Sequence, residues 1–546
     1  MRRQARNEHG IVLVITLCLT VIATIGVAAF LHLTKTQVVQ VRLQSHSTKA
    51  FYAAEAGLEK GIKLLKDDFY YTPEEMEPSW ADDKVYSEDG YIHLQTQKYM
   101  NPKNPHYDDE FYPLVAETDY NLEGNGGCKS TYKIDLSNLL GWTDRIWVKT
   151  TGRYYKRDGD GSYALDAERR ILVLLRARDI SPWDNAIFAG EGQNGRVING
   201  NVDIRGSVHL LGTSLLPSDI AMEFSGSGNV KNNYAGMPPE LAARVPSIAK
   251  NYGGDIMDSV EAEVRVQRGK VGLSGSSRVG EPDVPENGLK ERVEGVYITD
   301  GYTGNQGDLN VYSDNGKKHP YDLDEFSLAF PRLSEPYKTY PTYLDYLEAK
   351  ALVISDPTRL SQLQNIDPSS VFSYSSENGE IGMDANGILT IRGIVVVTGD
   401  VNFYKLYEKK KIIDDTIEYR GKGLLCSTTN VGINCSLITS SMSTYPTVDI
   451  LGVMARDSNV FNSAQLKAMG VFYAENQIVS QKQTSVAGTF FSGYFDMGQN
   501  VPAIYQVPEV IRNLPDGMIG DFRVWSIQTM TWAEIGPAGS VEPVEE

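Results

Sequence analysis

The feature that most constrains this chain is IVLVITLCLTVIATIGVAAFLHL, Ile11 to Leu33, an apolar run with no charged residue apart from His32, near its end, when protonated. About 20 apolar residues are enough for a helix to cross a bilayer. Arg2, Arg3 and Arg6 precede the run, so the positive-inside rule keeps that short end in the cytoplasm and sends the rest of the chain outward. The run exceeds the apolar region of a removable secretory signal and no A-x-A-like site ends it, which favours a retained anchor. What lies beyond must fold facing the envelope.

No proline interrupts the chain after the span. In TKTQVVQVRLQSHSTKAFYAAEAGLEKGIKLLKDD, the apolar positions Phe51, Ala54, Leu58, Ile62 and Leu65 fall at three- and four-residue steps, the period of a helix with one apolar face. The spacing predicts one helix from Ile11 to about Lys66, roughly 80 Å long at about 1.5 Å per residue. Half of it suits lipid and half suits a domain surface. Hydropathy alone fits a plain single-pass anchor with a helical stalk equally well.

A short basic leader ending in Gly10, an apolar helix and then AFYAAEAGLEKG resemble the N-terminus of PilX-type minor pilins of type IV pilus systems, over roughly residues 1 to 66. The more specific part is Ala50, Phe51, Tyr52, Ala53, Ala54, Glu55, Ala56 and Gly57. The resemblance implies a prepilin leader, residues 1–10, cut by a prepilin peptidase between Gly10 and Ile11. It also implies partners in the membrane and in other pilins that pack against the N-terminal helix, and a single-pass inner-membrane location with the bulk of the chain periplasmic or on the cell surface. Major pilins carry Glu at the fifth mature position, where this chain has Ile15, and many have a helix-kinking Pro where it has Ile22. The missing Glu implies a subunit other than a major, fibre-forming one: a tip or initiating pilin, or one retained in the membrane.

Beyond the helix the expected fold class is α+β and mostly β. Residues 67–180 read as a pilin-like antiparallel sheet domain with an irregular insertion, because STYKIDL, DRIWVKTTGRYYKR and ERRILVLLRARD are rich in alternating, β-branched and aromatic residues. DGDGS, Asp158 to Ser162, supplies a turn. SPWDN, Ser181 to Asn185, marks a boundary. After it GNVDIRGSVHLLG and GILTIRGIVVVTG both space glycines six apart, at Gly200, Gly206, Gly212 and at Gly387, Gly393, Gly399. Short strands at a fixed interval suggest stacked rungs, so residues 184–540 read as a β-rich domain of β-helix or solenoid type, with a sandwich as the competing architecture. The stretch Pro238 to Ile381 reads as a cap or decoration on those rungs, and residues 541–546 as an acidic tail.

Composition excludes several functions. With 52 Lys plus Arg against 70 Asp plus Glu, the net charge is −18 over 546 residues, so no nucleic-acid partner is expected. GEGQNG, Gly190 to Gly195, has dinucleotide-loop spacing but precedes strand-like sequence rather than a helix, and reads as a turn. Asp158, Asp160, Ser162 and Asp166 occupy EF-like positions, yet Arg169 stands where the bidentate Glu belongs, so a hairpin turn is expected and no metal. Cys426 and Cys435 lie close enough in sequence to bridge adjacent rungs, or to serve as two small apolar side chains in a β core. The His residues form no H-E-x-x-H pattern, and G-x-S-x-G is absent. No cofactor is expected. Lys409, Lys410 and Lys411 read as a solvated turn.

Two functions follow. One is a noncatalytic minor pilin-like protein presenting its β domain for assembly or for adhesion to a surface ligand. The other is a membrane-anchored β-helix enzyme acting on polysaccharide, which a groove with paired carboxylates and aromatic rows would favour.

Overall fold

The computed structural model describes residues 4–73, 79–80, 84–93, 111–120, 128–138, 144–193, 198–200, 202–252, 255–323, 328–480, 482–497, 502–520 and 525–535. The chain forms two compact units, one of Met1–Asp179 with Trp525–Glu546, the other of Ile180–Val524.

Helix α1 spans Gln4–Tyr71, 68 residues without a break, or roughly 100 Å. It exceeds the expected span at both ends because no proline intervenes before Pro73, where the chain must leave α geometry. From Val14 to Leu43 its side chains are exposed, Ile15, Ile22 and Phe30 each by more than half. It is long and apolar enough to cross a membrane and fits a single-pass anchor. Its second half turns Ala50, Ala53, Ala54, Leu58, Leu65 and Phe69 inward.

Those side chains cover one face of a five-stranded antiparallel sheet. Strands β1 (Tyr112–Tyr120), β2 (Cys128–Asn138), β3 (Arg145–Arg157) and β4 (Tyr163–Asp179) follow in order, and Trp525–Ile535 completes the sheet beside β4. Ile134, Leu136, Ile146, Val148, Ile171, Val173 and Leu175 point from it into the core under α1. DGDGS is the β3–β4 turn, closed by Asp158 N–H donating to Ser162 O at 2.8 Å. The region expected to be irregular contains the hairpin Lys84–Ser87 with Gly90–His93 as well as β1.

The sequence reading places everything from 184 to 540 in the second domain. The structure corrects its end, because Trp525 pairs with Asp179 and the register runs to Ile535 opposite Arg170. The alternating sequence WSIQTMTWAEI satisfies the otherwise unpaired edge of β4. The second unit is thus an insertion between two neighbouring strands of the first. Residues 536–546, including the acidic tail, lie outside the described residues.

The second unit is built on parallel pairing. Its strands are β5 (Ile187–Gln193), β6 (Val208–Leu210), β7 (Glu263–Val266), β8 (Gly295–Ile298), β9 (Leu352–Ile354), β10 (Ile388–Val397), β11 (Lys422–Ser427), β12 (Ile450–Ala455), β13 (Leu466–Ser480) and β14 (Thr484–Asp496). One continuous parallel ladder runs β9, β10, β11, β12, β13, β14, β5, β6, β7, β8. The two glycine-spaced repeats meet here, VHL as β6 and VVV within β10. Further parallel stacks join Val401–Phe403, Val431–Ile433 and Ser458–Phe461, and separately Ala503–Tyr505, Asp203–Arg205, Asn229–Lys231 and Arg278–Val279. The glycines make corners: Gly393 has φ +62°, and a Cβ there would sit 2.4 Å from the carbonyl oxygen of Asn378.

The ladder order shows how the chain winds. It enters mid-stack at β5, proceeds to β8, returns through residues 299–351 to β9 at the far end, and winds back until β14 closes against β5. The stretch Pro238 to Ile381, expected only to decorate the rungs, therefore supplies β7, β8 and β9 to the ladder.

Successive residues of a strand point to opposite faces, so the ladder carries two columns. One is Leu352, Val395, Leu425, Val453, Phe472, Phe490, Ile187, Val208, Val264 and Val296, all buried. The other runs Val353, Val396, Cys426, Met454, Tyr473, Phe491, Phe188, His209, Arg265 and Tyr297, changing from aliphatic through aromatic to charged. The return segment lies along this second column. Tyr321 OH meets His209 Nε2 at 2.7 Å, Asp322 accepts from Arg265 Nε at 3.0 Å, and Phe330 stacks on Tyr473 at 5.9 Å.

Candidate functional site

The sequence points to α1, and the structure shows how its motif works. Ala50, Ala53 and Ala54 are fully buried, with Gly57 and Leu58 also buried, whereas Phe51, Glu55 and Ala56 are half-buried and Tyr52 is exposed. The buried small residues recur at helical spacing and make a flat strip on which the sheet sits closely. At Gly152 of β3 a Cβ would lie 2.0 Å from Ala50 O and 2.4 Å from Ala54 N, so only glycine permits this approach. Gly57 and Gly61 extend the strip, their missing side chains replaced by Tyr132 and Ile134 at 3.2 and 3.3 Å. Gly10 and Ile11 lie in helical backbone, and their side chains are outside the described residues.

A polar collar, unseen in the sequence, fixes α1 just before the strip. His46 Nδ1 makes a short contact with the Asp166 carboxylate, and its ring lies 4.6 Å from that of Tyr154. Lys49 Nζ sits 5.0 Å from the same tyrosine ring. Arg169 Nε donates to Ser47 Oγ at 2.7 Å and its Nη1 to Glu534 at 2.9 Å. Burial, the neighbouring Cys128 sulfur and Asp166 push the Tyr154 hydroxyl pKa up. These partners lie more than a hundred positions apart along the chain, beyond the reach of any periodicity.

The outer face of the sheet carries a charged network. Glu117 accepts from Thr131 Oγ1 and Tyr155 OH at 2.6 Å and from Arg153 Nη1 at 2.7 Å, and Arg153 Nε also reaches Glu168 at 2.7 Å. Burial raises the Glu117 pKa, but the Thr131 and Tyr155 hydroxyls and the Arg153 guanidinium outweigh it and hold the carboxyl below its usual range.

The fold of this chain is similar to that of the competence-associated pilin ComZ from Thermus thermophilus, with a TM-score of 0.50 at 19% identity over 90% of this chain and 97% of that one. The fold is pilin-like. No protein-family model and no curated protein matches the sequence.

The other sequence candidates resolve individually in this pilin-like chain. Cys426 and Cys435 are not bridged: both thiols are free and buried. Cys426 is stacked between Val396 and Met454 in the ladder, while Cys435 lies between two short strands of other stacks, so the two do not face each other across adjacent rungs. Burial pushes the Cys426 pKa up to about 12 and raises that of Cys435 as well, which makes both poor nucleophiles. Asp160 is occupied by the backbone and hydroxyl of Ser162, and Asp166 by His46. Among the described residues no group of three His, Cys, Asp or Glu is poised for a metal. The turn expected over Gly190–Gly195 is corrected in part, since β5 continues through Gln193; residues 194 and 195 lie outside the described residues.

Proposed function

We propose that the chain is a noncatalytic, membrane-inserted minor pilin-like protein of PilX type, belonging to a type IV pilus or related system. One observation carries this reading: a single unbroken helix exposes its apolar side chains from Val14 to Leu33 and docks its small-residue half into an antiparallel sheet. Exposed Leu17, Leu19, Ile22 and Phe30 need lipid or other apolar helices as partners. A soluble domain has no use for such a rod. In this reading prepilin peptidase cuts between Gly10 and Ile11, the three leader arginines hold the N-terminus in the cytoplasm, and the mature helix packs with other pilins.

The second unit is, on this proposal, a β-solenoid displayed at the periplasmic or pilus surface for assembly or for binding a surface ligand. The continuous parallel ladder and its accompanying stacks support that architecture. Ile15 lacks the carboxylate of a fibre-forming subunit, which supports a minor role.

Mass spectrometry of the N-terminus in cells tests the reading directly. A chain beginning at methylated Ile11 is expected, and an intact Met1 would return the protein to the status of a plain anchor. Leu19→Asp is expected to abolish incorporation with other pilins, a charge at mid-span costing about 2.5–3.5 kcal/mol, while both outer units keep their hydrogen-exchange protection.

A further inference from the structure

The notable surface feature outside the helix is a hairpin of the second unit. Leu406–Glu408 pairs antiparallel with Lys411–Asp414, Glu408 opposite Lys411, leaving Lys409 and Lys410 as a two-residue loop. Both have positive φ, 48° and 68°. This is the backbone that Asn-Gly adopts with least strain. Two lysines hold it at a conformational cost that better-suited residues would remove, and such outliers gather where function retains them.

The surrounding side chains give the tip its chemistry. Tyr407, Ile412 and Ile413 are each more than half exposed, with Tyr404 exposed at the base. Lys409, Lys410 and Lys411 are exposed and have no ion-pair or hydrogen-bond partner among the described residues. Glu408, also exposed, stands next to Lys409 and opposite Lys411, and two further acids lie at the base of the hairpin. Asp414 Oδ1 accepts from Thr416 N–H at 3.0 Å, and Asp415 accepts from Thr416 Oγ1 at 3.1 Å with Lys405 Nζ 3.8 Å away. Three free ammonium groups therefore face solvent together with two isoleucines and a tyrosine.

We infer that this hairpin is a docking finger for a bilayer containing anionic phospholipid. Lysines on flexible stems meet phosphate headgroups, tyrosine suits the headgroup level, and isoleucine gains only where an apolar phase lies beneath. The isoleucines favour lipid over a purely anionic polymer such as nucleic acid or acidic polysaccharide, which offers them nothing. The net charge of −18 does not oppose this, because at physiological salt fields decay over about 8 Å and the tip meets the surface alone. The proposal does not rest on pilin processing, since the finger acts whether or not the leader is removed.

The test uses the full chain with α1 held in a neutral phosphatidylcholine nanodisc, so that the span is already satisfied, and liposomes are added in trans. The protein should float with liposomes containing phosphatidylglycerol and stay behind with pure phosphatidylcholine liposomes, while empty nanodiscs float with neither. Lys409→Gln/Lys410→Gln/Lys411→Gln should weaken binding about a hundredfold, the combined contribution of three lysines at such a surface. Ile412→Ser/Ile413→Ser should weaken it several-fold at unchanged charge. Hydrogen exchange of peptides covering 404–415 in the unmodified protein should slow on adding the anionic liposomes, a readout independent of how any variant folds. Equal flotation with both liposomes, or no change in that exchange, overturns the proposal. So does an isoleucine double variant that binds as tightly as the parent and is displaced equally by heparin, a result that would make the finger a polyanion site.

Discussion

The two units bury apolar surface in opposite ways. The antiparallel sheet of the first covers one face with α1 and leaves the other to Glu117, Arg153 and Glu168, so buried and half-buried residues alternate along β3 as Ile146, Val148 and Thr150 against Trp147 and Lys149. The parallel ladder of the second buries both faces through its central strands, and β12 reads ILGVMA with every residue buried. That contrast is expected for sheets exposed on one side and sheets covered on both. It teaches that a change of charge or size is absorbed in one unit according to face, and in the other has nowhere to go.

The largest effect should therefore come from the second column of the ladder. Phe491 is fully buried against Trp183, Phe188, Phe330 and Tyr473, with ring centroids 4.8 to 5.5 Å away. Phe491→Ala should cost about 3–5 kcal/mol through lost burial and an unfilled cavity. Peptide-resolved hydrogen exchange should show the loss across β5 and β13 and leave β2 and β3 unchanged. A drop confined to β14 would mean the column does not transmit strain between rungs. Next in size, Gly152→Ala should lift α1 from its sheet and cost about 2–3 kcal/mol, an overpacking strain borne by backbone atoms that cannot rotate away. Here exchange should rise in residues 46–65 and not in the ladder.

Legibility in the sequence follows the same divide. α1, β2, β3, β4 and their turn were readable because helical and alternating periods are local, and the Ala-rich run was readable by resemblance. The contact of that run with Gly152 was not, since nothing near TTGRYY announces a partner about a hundred residues earlier. In the second unit the glycine-spaced repeats announced short strands, two of which lie in the parallel ladder, but β7, β8 and β9 lack that spacing and were hidden in a stretch of turns. The return of Trp525–Ile535 to the first sheet was hidden too, because an insertion separates paired strands by more than any sequence window.

The columns should also titrate differently. His209 is buried, its Nδ1 has no hydrogen-bond partner among the described residues and Arg265 lies in the neighbouring strand, so burial first and the guanidinium second hold its pKa well below the usual value. Glu263 and Asp322 pair with Arg265, and Tyr321 occupies His209 Nε2. The folded state keeps this imidazole neutral while the unfolded chain protonates near pH 6.5. Stability is thus complete above about pH 6.5 and falls as pH drops below it, by up to about 1.4 kcal/mol per pH unit for one proton. Denaturant midpoints of the second unit between pH 7.5 and 5.5 should show that slope, and His209→Gln should flatten it. In the first unit Glu117, whose folded pKa is lowered, contributes stability that is present above about pH 4.5 and is lost as pH falls through its folded pKa.

The smallest effect belongs on the outer face of the sheet. Lys129 Nζ lies 3.4 Å from Asp119, with the two side chains 38% and 63% exposed, and it hovers 5.2 Å from the Tyr163 ring. Water competes for both ions, salt screens them, and holding a long side chain in place costs entropy, so Lys129→Ala should move stability by no more than about 0.5 kcal/mol. Thermal unfolding of the first unit at low and high salt checks this, and the small difference between parent and variant should shrink further at high salt. A loss near that of Gly152→Ala would show that the outer face is not a free surface but is covered in the working assembly, and that the contrast between the two units describes the isolated chain alone.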